Sequence, residues 1–205
     1  RAPLVAEKGK KLAEAIKVAE GMGEGVEIGP VISAKAKDRI VGLIDDAEKR
    51  GSKVVLDGRG LTVPGYENGH FLGPTVLDDV PLDAPVYTEE VFGPVLAIVH
   101  ADTYEEALKI VNAQPFGNGS AIFTNDGGVA RRFTLDVEAG MVGVNVPIPT
   151  PVAFYSFGGW KESLLGDTHI HGPEGVTFYT RAKAITERWP TEKTYAATMS
   201  FQREE

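Results

Sequence analysis

The sequence predicts an α/β fold, a sheet carrying helices on its faces, and three observations lead there. Short runs rich in β-branched residues alternate with segments of helical period. Gly, Asn or Asp separates most of these segments, so each one is punctuated. Residues 95–99, Val-Leu-Ala-Ile-Val, are apolar without alternation, the pattern of a strand covered on both faces.

Each element has its own justification. Residues 4–18 are good helix formers, with Leu12, Ala15, Ile16 and Ala19 at three- and four-residue spacing, so they predict a helix. The glycines of residues 21–25 stop it. Ser33 then suits the N-cap of a second helix whose Ile40, Leu43, Ile44 and Ala47 share a face, and Gly51 ends that helix. Residues 53–57 read as a strand running into turn-rich residues 58–65. After the strand at 95–99, Thr103-Tyr-Glu-Glu106 has the spacing of a capping box and opens a helix through Val111. Strands follow at 120–124 and 141–145, with a helix at 127–137 between them. Beyond Pro147 the chain is rich in Pro, Gly and aromatics, only 182–187 reads as a further strand, and the end is polar. No period repeats. The expected organisation is one main domain over residues 1–175 and a C-terminal arm and tail over 176–205.

Composition narrows the partners. Of 205 residues, 42% are hydrophobic and 24% charged, ordinary usage for a chain that buries a core. A net charge of -8 opposes nonspecific attraction to nucleic acid, and no apolar window reaches membrane-spanning length, so neither partner is expected. There is no cysteine, hence no disulfide, thiolate metal site or thiol nucleophile within these residues. The chain opens Arg-Ala-Pro and lacks the apolar core of a secretory signal, which suggests a fragment of a longer protein.

Several familiar site patterns are absent. Neither G-x-G-x-x-G nor G-x-x-x-x-G-K-[ST] occurs, so any phosphate site uses other means. No G-x-S-x-G elbow occurs, and Ser156 and Ser163 read as loop serines. His169 and His171 share a strand face but lack nearby acidic or thiol ligands, so a structural role is expected rather than metal binding. Asn118-Gly119-Ser120 reads as a turn before a strand.

The sharpest signal is Tyr87-Thr-Glu-Glu90-Val-Phe92-Gly-Pro-Val95, where Gly93 and Pro94 fix a bend between an acidic-aromatic pair and an apolar strand. Glu89 and Glu90 are adjacent in an extended segment and point to opposite faces, so at most one faces a ligand. A carboxylate accepts hydrogen bonds from ribose hydroxyls and a phenyl ring supports a flat nicotinamide, so Glu90 and Phe92 suit a nicotinamide nucleoside. The competing reading makes Glu90 a solvated loop residue and Phe92 a plug beside the core.

Residues 89–95 resemble the E-E-[IV]-F-G-P-V signature of the aldehyde dehydrogenase superfamily. The resemblance continues in order and spacing through Phe71-Leu-Gly-Pro-Thr75, Pro115-Phe-Gly-Asn118, Ala121-Ile-Phe-Thr124, Gly143-Val-Asn145 and Phe157-Gly-Gly-Trp-Lys161, and so covers nearly the whole chain. Tyr66-Glu-Asn-Gly69, Asn118-Gly-Ser120, residues 144–149 and residues 156–161 look like the methylmalonate-semialdehyde branch. The resemblance implies a catalytic-domain fold with an open, mostly parallel sheet and helices on both faces. It implies that Glu90 contacts the nicotinamide ribose, that Phe92 lies near the ring, and that residues 147–151, with Ile148, and Phe157 form one wall of the aldehyde pocket.

The same resemblance implies NAD as cofactor and coenzyme A as co-substrate, with a small semialdehyde oxidised, carbon dioxide lost, and acetyl- or propionyl-coenzyme A formed through a cysteine thiolate. That cysteine and the oxyanion-stabilising Asn would lie upstream of Arg1. No catalytic residue is therefore expected in this chain, which alone would be inactive. The segment from Val176 to Trp189, residues 176–189, resembles the arm that extends a neighbouring subunit's sheet, implying a homo-oligomer, typically a tetramer. The compartment implied is the cytoplasm in a bacterium or the mitochondrial matrix in a eukaryote. Glu162 departs from the small residue many relatives carry there, and it could disturb the turn. Two alternatives stay open: a noncatalytic assembly module, and part of an aldehyde dehydrogenase that releases free acid.

Overall fold

A computed structural model describes residues 2–187 and 189. The chain forms two compact units, one from residues up to 115 together with 131–138, the other from 116–130 and residues from 139 onward.

The first unit is built on α2 (Ala34–Lys49). Ser33 caps it as expected, its Oγ accepting from the Ala36 N–H at 3.1 Å, and Ile40, Leu43, Ile44 and Ala47 are all buried. After Arg50 the chain leaves the helix through Gly51 at φ 103°, a left-handed position suited to glycine. The four buried side chains pack with Leu72, Leu77, Val80, Ala84 and Val86 into the main core.

That core covers a three-stranded sheet ordered β1 (Lys53–Leu56), β2 (Thr75–Asp78), β3 (Val95–Ala97). β2 runs antiparallel to β1 and parallel to β3, with Thr75 opposite Val95 and Leu77 opposite Ala97. The strand buried along its whole length is β2, all four residues of it. The run at 95–99 was expected to hold that place. It forms the edge strand instead, ends at Ala97, and leaves Leu96 48% exposed, because only β2 has a neighbour on each side. Two short helices complete the unit: α3 (Pro85–Thr88), then α4 (Tyr104–Asn112). The Thr103 Oγ1 accepts from the Glu106 N–H at 3.1 Å, while the Glu106 carboxylate reaches back one residue further than a reciprocal box, to the Asp102 N–H at 2.8 Å.

The first helix, α1 (Ala2–Glu14), stops short of the predicted Val18. Ala15 and Ile16 donate to Leu12 and Ala13 in a tightened last turn, and the chain then extends so that Val18 bridges Ile28. The expected apolar stripe is therefore not the buried face. Leu12 is 72% exposed, while Ala6, on another face, is buried.

The second unit holds two small ladders. β5 (Gly119–Ile122) pairs in parallel with β6 (Met141–Val144), and β4 (Phe116–Gly117) pairs antiparallel with β7 (Trp160–Lys161). The connection between β5 and β6 contains α5 (Gly127–Asp136), which makes a strand-helix-strand crossover as the alternation predicted. Gly140 must be glycine, since a Cβ there would overlap the Gly158 carbonyl oxygen. The α/β class holds, but pairing across the three sheets of the described residues is mixed, with two parallel and two antiparallel ladders. A last helix, α6 (Gly172–Tyr179), crosses residue 176, where the C-terminal arm was expected to start. Residues 182–187, expected as a strand, form neither a strand nor a bridge. Among the described residues no helix is long and apolar enough to cross a membrane.

Two stability predictions follow from this packing. Leu77 is fully buried in the central strand, so Leu77→Ala should cost about 2–5 kcal/mol, read by chemical denaturation; a loss below about 1 kcal/mol would place the core elsewhere. The Arg59 guanidinium, hydrogen-bonded to Asp57, holds the Asp57 carboxyl below its ordinary 3.8. A depressed folded value means that this contribution is present above about pH 4 and is lost as pH falls through the folded pKa. Denaturation midpoints measured down the acid range should fall less steeply for Asp57→Asn than for the parent.

Candidate functional site

The candidate site grows from the bend between α3 and β3. Helix α3 ends at Glu89, whose N–H donates to the Pro85 carbonyl at 2.9 Å, and the chain then extends. On the far side of the bend the Thr75 N–H, at the start of β2, donates to the Pro94 carbonyl at 2.9 Å. Between these anchors Gly93 lies against α2 so closely that a Cβ would come 2.6 Å from the Ile40 Cδ1. A side chain there would have to displace the end of the buried Ile40 side chain.

The bend separates the two glutamates as the extended backbone demands. The Glu89 carboxylate accepts from the Arg39 guanidinium at 3.2 Å. The same guanidinium donates to the Glu90 carbonyl at 2.9 Å and the Val91 carbonyl at 3.0 Å. Glu90 is exposed, and its carboxylate has no partner among the described residues. Phe92 is 82% exposed and has φ 52°, a left-handed conformation costing about 1–2 kcal/mol for a residue with a Cβ. An aromatic ring held outward in strained backbone is not a plug, so the core-plug reading of Phe92 fails. Beside the ring opens a cleft of about 460 Å³ whose walls include Pro30, Ile32, Ala36, Arg39 and Phe92.

Ile148 and Phe157, the predicted pocket residues, belong to the second unit. Ile148 is 75% exposed in the loop after β6. The loop leaves that strand through Asn145 at φ 57°, whose side chain accepts from the Thr124 N–H at 2.9 Å and donates to the Thr124 carbonyl at 3.0 Å. Phe157 stacks on the His171 imidazole, centroids 4.6 Å apart and planes within 9°. His169 instead places Nδ1 3.0 Å from the Glu174 carboxylate, which also accepts from its backbone N–H. The two imidazoles thus serve separate local contacts, and no group of three potential metal ligands occurs among the described residues. Ser163 and Ser156 accept from the Gly117 and Glu174 N–H groups, the work of loop serines. Glu162 is exposed, in a turn where the Ser163 N–H donates to the Trp160 carbonyl at 3.1 Å.

Sequence reasoning missed Arg39. An arginine beside a buried isoleucine on an amphipathic helix reads as a solvated flank, and nothing local tied it to a bend fifty residues on.

The bend between a short helix and a strand of an α/β unit is one part of a larger likeness: residues 2–185 match the model of the aldehyde dehydrogenase family, and the chain belongs to that family. Within it, the chain is 50% identical over 184 residues to a malonate-semialdehyde dehydrogenase of Pseudomonas aeruginosa, covering 90% of this chain and 37% of that protein. It is 47% identical to the bovine mitochondrial acylating methylmalonate-semialdehyde/malonate-semialdehyde dehydrogenase, covering 93% of this chain and 35% of that protein. A Sinorhizobium meliloti protein assigned as a methylmalonate-semialdehyde dehydrogenase and complexed with NAD superposes with TM-score 0.90 at 46% identity, over 93% of this chain and 39% of that one. The chain therefore spans little more than a third of the length of these relatives.

The strain at Phe92 makes a testable prediction. In Phe92→Gly, relief of the left-handed strain and the added freedom of the unfolded chain offset each other, leaving stability within about 1 kcal/mol of the parent. In Phe92→Val a β-branched residue is forced to positive φ, and stability should drop by about 1–2 kcal/mol or more. Thermal melts that rank Val at or above Gly would contradict the backbone description.

Proposed function

We propose that this chain is the part of an NAD-dependent (methyl)malonate-semialdehyde dehydrogenase that holds the nicotinamide riboside and carries the assembly arm. The parent protein oxidises the semialdehyde with coenzyme A, releases carbon dioxide, and yields acetyl- or propionyl-coenzyme A. The observation that carries the reading is the bend at 89–93: an exposed carboxylate without a partner among the described residues and, with one residue between them, an exposed ring kept in strained backbone. Strain of this kind persists where surroundings over-determine it, commonly at ligand sites.

These residues fit the group. The Glu90 carboxylate accepts hydrogen bonds from the ribose hydroxyls and fixes the sugar, and the Phe92 ring supports one face of the nicotinamide. NAD, when bound, supplies hydride acceptance. Ile148 and Phe157 offer apolar surface that keeps water from the aldehyde and the acyl group. The nucleophilic thiol comes from outside these residues, since the chain has no cysteine. The arm from Val176 to Trp189 joins copies into a homo-oligomer, an expectation supported by the exposure of Phe178, Tyr179 and Trp189. The compartment follows the host: cytoplasm in a bacterium, mitochondrial matrix in a eukaryote. A noncatalytic assembly module is the second reading, favoured by the same exposed aromatics and the missing thiol.

The test uses the 205-residue chain and the fluorescence of reduced nicotinamide mononucleotide. The parent chain should bind this probe, and Glu90→Gln should weaken binding about 10–100-fold, the worth of charge-assisted hydrogen bonds. Equal binding by both chains would remove Glu90 from the site. No binding by either, with association of the chain in light scattering, would favour the assembly module. The chain mixed with NAD, coenzyme A and malonate semialdehyde should form no reduced nucleotide.

A further inference from the structure

The two residues assigned to the riboside are held by neighbours on a single helix. Ile40 of α2, 1% exposed, receives Gly93 at one end of the bend. Arg39, the residue before it, receives the other end through three contacts to three consecutive residues: the Glu89 carboxylate and the carbonyls of Glu90 and Val91. A surface pair such as Arg39 with Glu89 alone contributes little, since both side chains are about half exposed. The two carbonyl bonds are different in kind. Glu90 and Val91 belong to no helix or strand, so no ladder fixes their peptide planes. Fixing both carbonyls sets the direction in which the Glu90 side chain leaves the backbone and the peptide that enters Phe92. The contact to Glu89 has a second effect: it draws that carboxylate aside, leaving Glu90 as the carboxylate of the bend without a partner among the described residues.

We propose that Arg39 is a positioning residue for the nicotinamide-riboside site, its guanidinium fork holding residues 89–91 so that Glu90 and Phe92 are presented in one fixed arrangement. The inference rests on the riboside reading above. A planar fork with several donors is needed to serve three acceptors at once, so lysine keeps the charge without the geometry. Loss of the fork leaves the ligand to order the bend itself, and binding weakens by that ordering cost.

The experiment compares Arg39→Gln, Arg39→Lys, Glu90→Gln and the double variant Arg39→Gln/Glu90→Gln in the 205-residue chain, titrated with reduced nicotinamide mononucleotide. Arg39→Gln should weaken binding roughly tenfold, and Arg39→Lys should recover only part of it. If Arg39 acts through Glu90, the double variant should bind within about twofold of Glu90→Gln, well short of the product of the single losses. In parallel, hydrogen exchange of the Glu90 to Phe92 amides should quicken in Arg39→Gln while that of Leu43 and Ile44 stays protected. Multiplicative losses with unchanged exchange at the bend would overturn the inference, as would parent-like binding by both Arg39 variants. Binding lost in Glu90→Gln but kept in Arg39→Gln overturns this inference alone. No binding by the parent chain overturns the riboside reading and this inference with it.

Discussion

Complete burial of β2 is the constraint from which the rest of the first unit follows. A strand buried on both faces and both edges must have every backbone group paired, and β1 and β3 supply those partners from opposite sides. The parallel pairing with β3 makes the Thr75 N–H donate to Pro94, which fixes the exit of the bend. Apolar cover for β2 comes from the face of α2 bearing Ile40, Leu43, Ile44 and Ala47, and this same helix meets the bend at Arg39 and Ile40. The geometry of Glu90 and Phe92 is thus set by a core that neither residue enters. Strain at Phe92 is tolerable for that reason, since the cost of one left-handed residue is small beside a core of nine buried side chains.

What could be read from the sequence, and what could not, divides along the range of the forces involved. Helix α2 was legible because its cap at Ser33, its apolar face and its terminal Gly51 are all local signals. The strand-helix-strand passage through β5, α5 and β6 was legible for the same reason. β2 was hidden: Thr75-Val-Leu-Asp78 is short, polar at both ends, and preceded by Gly73-Pro74, so nothing local marks it as central. The longer apolar run at 95–99 carried the stronger signal yet took the edge, because centrality depends on neighbours rather than on hydrophobicity. α1 erred in the opposite sense, its helical period continuing past the point where Lys17 and Val18 take up pairing with residues 27 and 28.

The candidate site shows the same division. Glu90 and Phe92 were legible because Gly93 and Pro94 announce a bend next to chemistry-bearing residues. That the ring points outward was not, since composition near a core suggests a plug, and only the left-handed φ with 82% exposure decides against it. Arg39 lies fifty residues away in sequence, and its three contacts arise from tertiary folding that a single sequence does not display.

On the proposed reading, charge limits which part of a dinucleotide this bend can hold. NAD carries a pyrophosphate, and the chain as a whole is acidic, with a net charge of -8. At the bend the nearest cation is Arg39, whose donors are already directed to Glu89, Glu90 and Val91, so its charge is partly neutralised and its fork is occupied. The outward group is the Glu90 carboxylate, which repels phosphate oxygens and accepts from hydroxyls. A loop of this kind suits the uncharged sugar and the flat ring at one end of the cofactor and is unsuited to the phosphates. On the proposed reading, then, the pyrophosphate has to be met by donors away from this bend, such as backbone N–H groups at a helix start or cationic side chains.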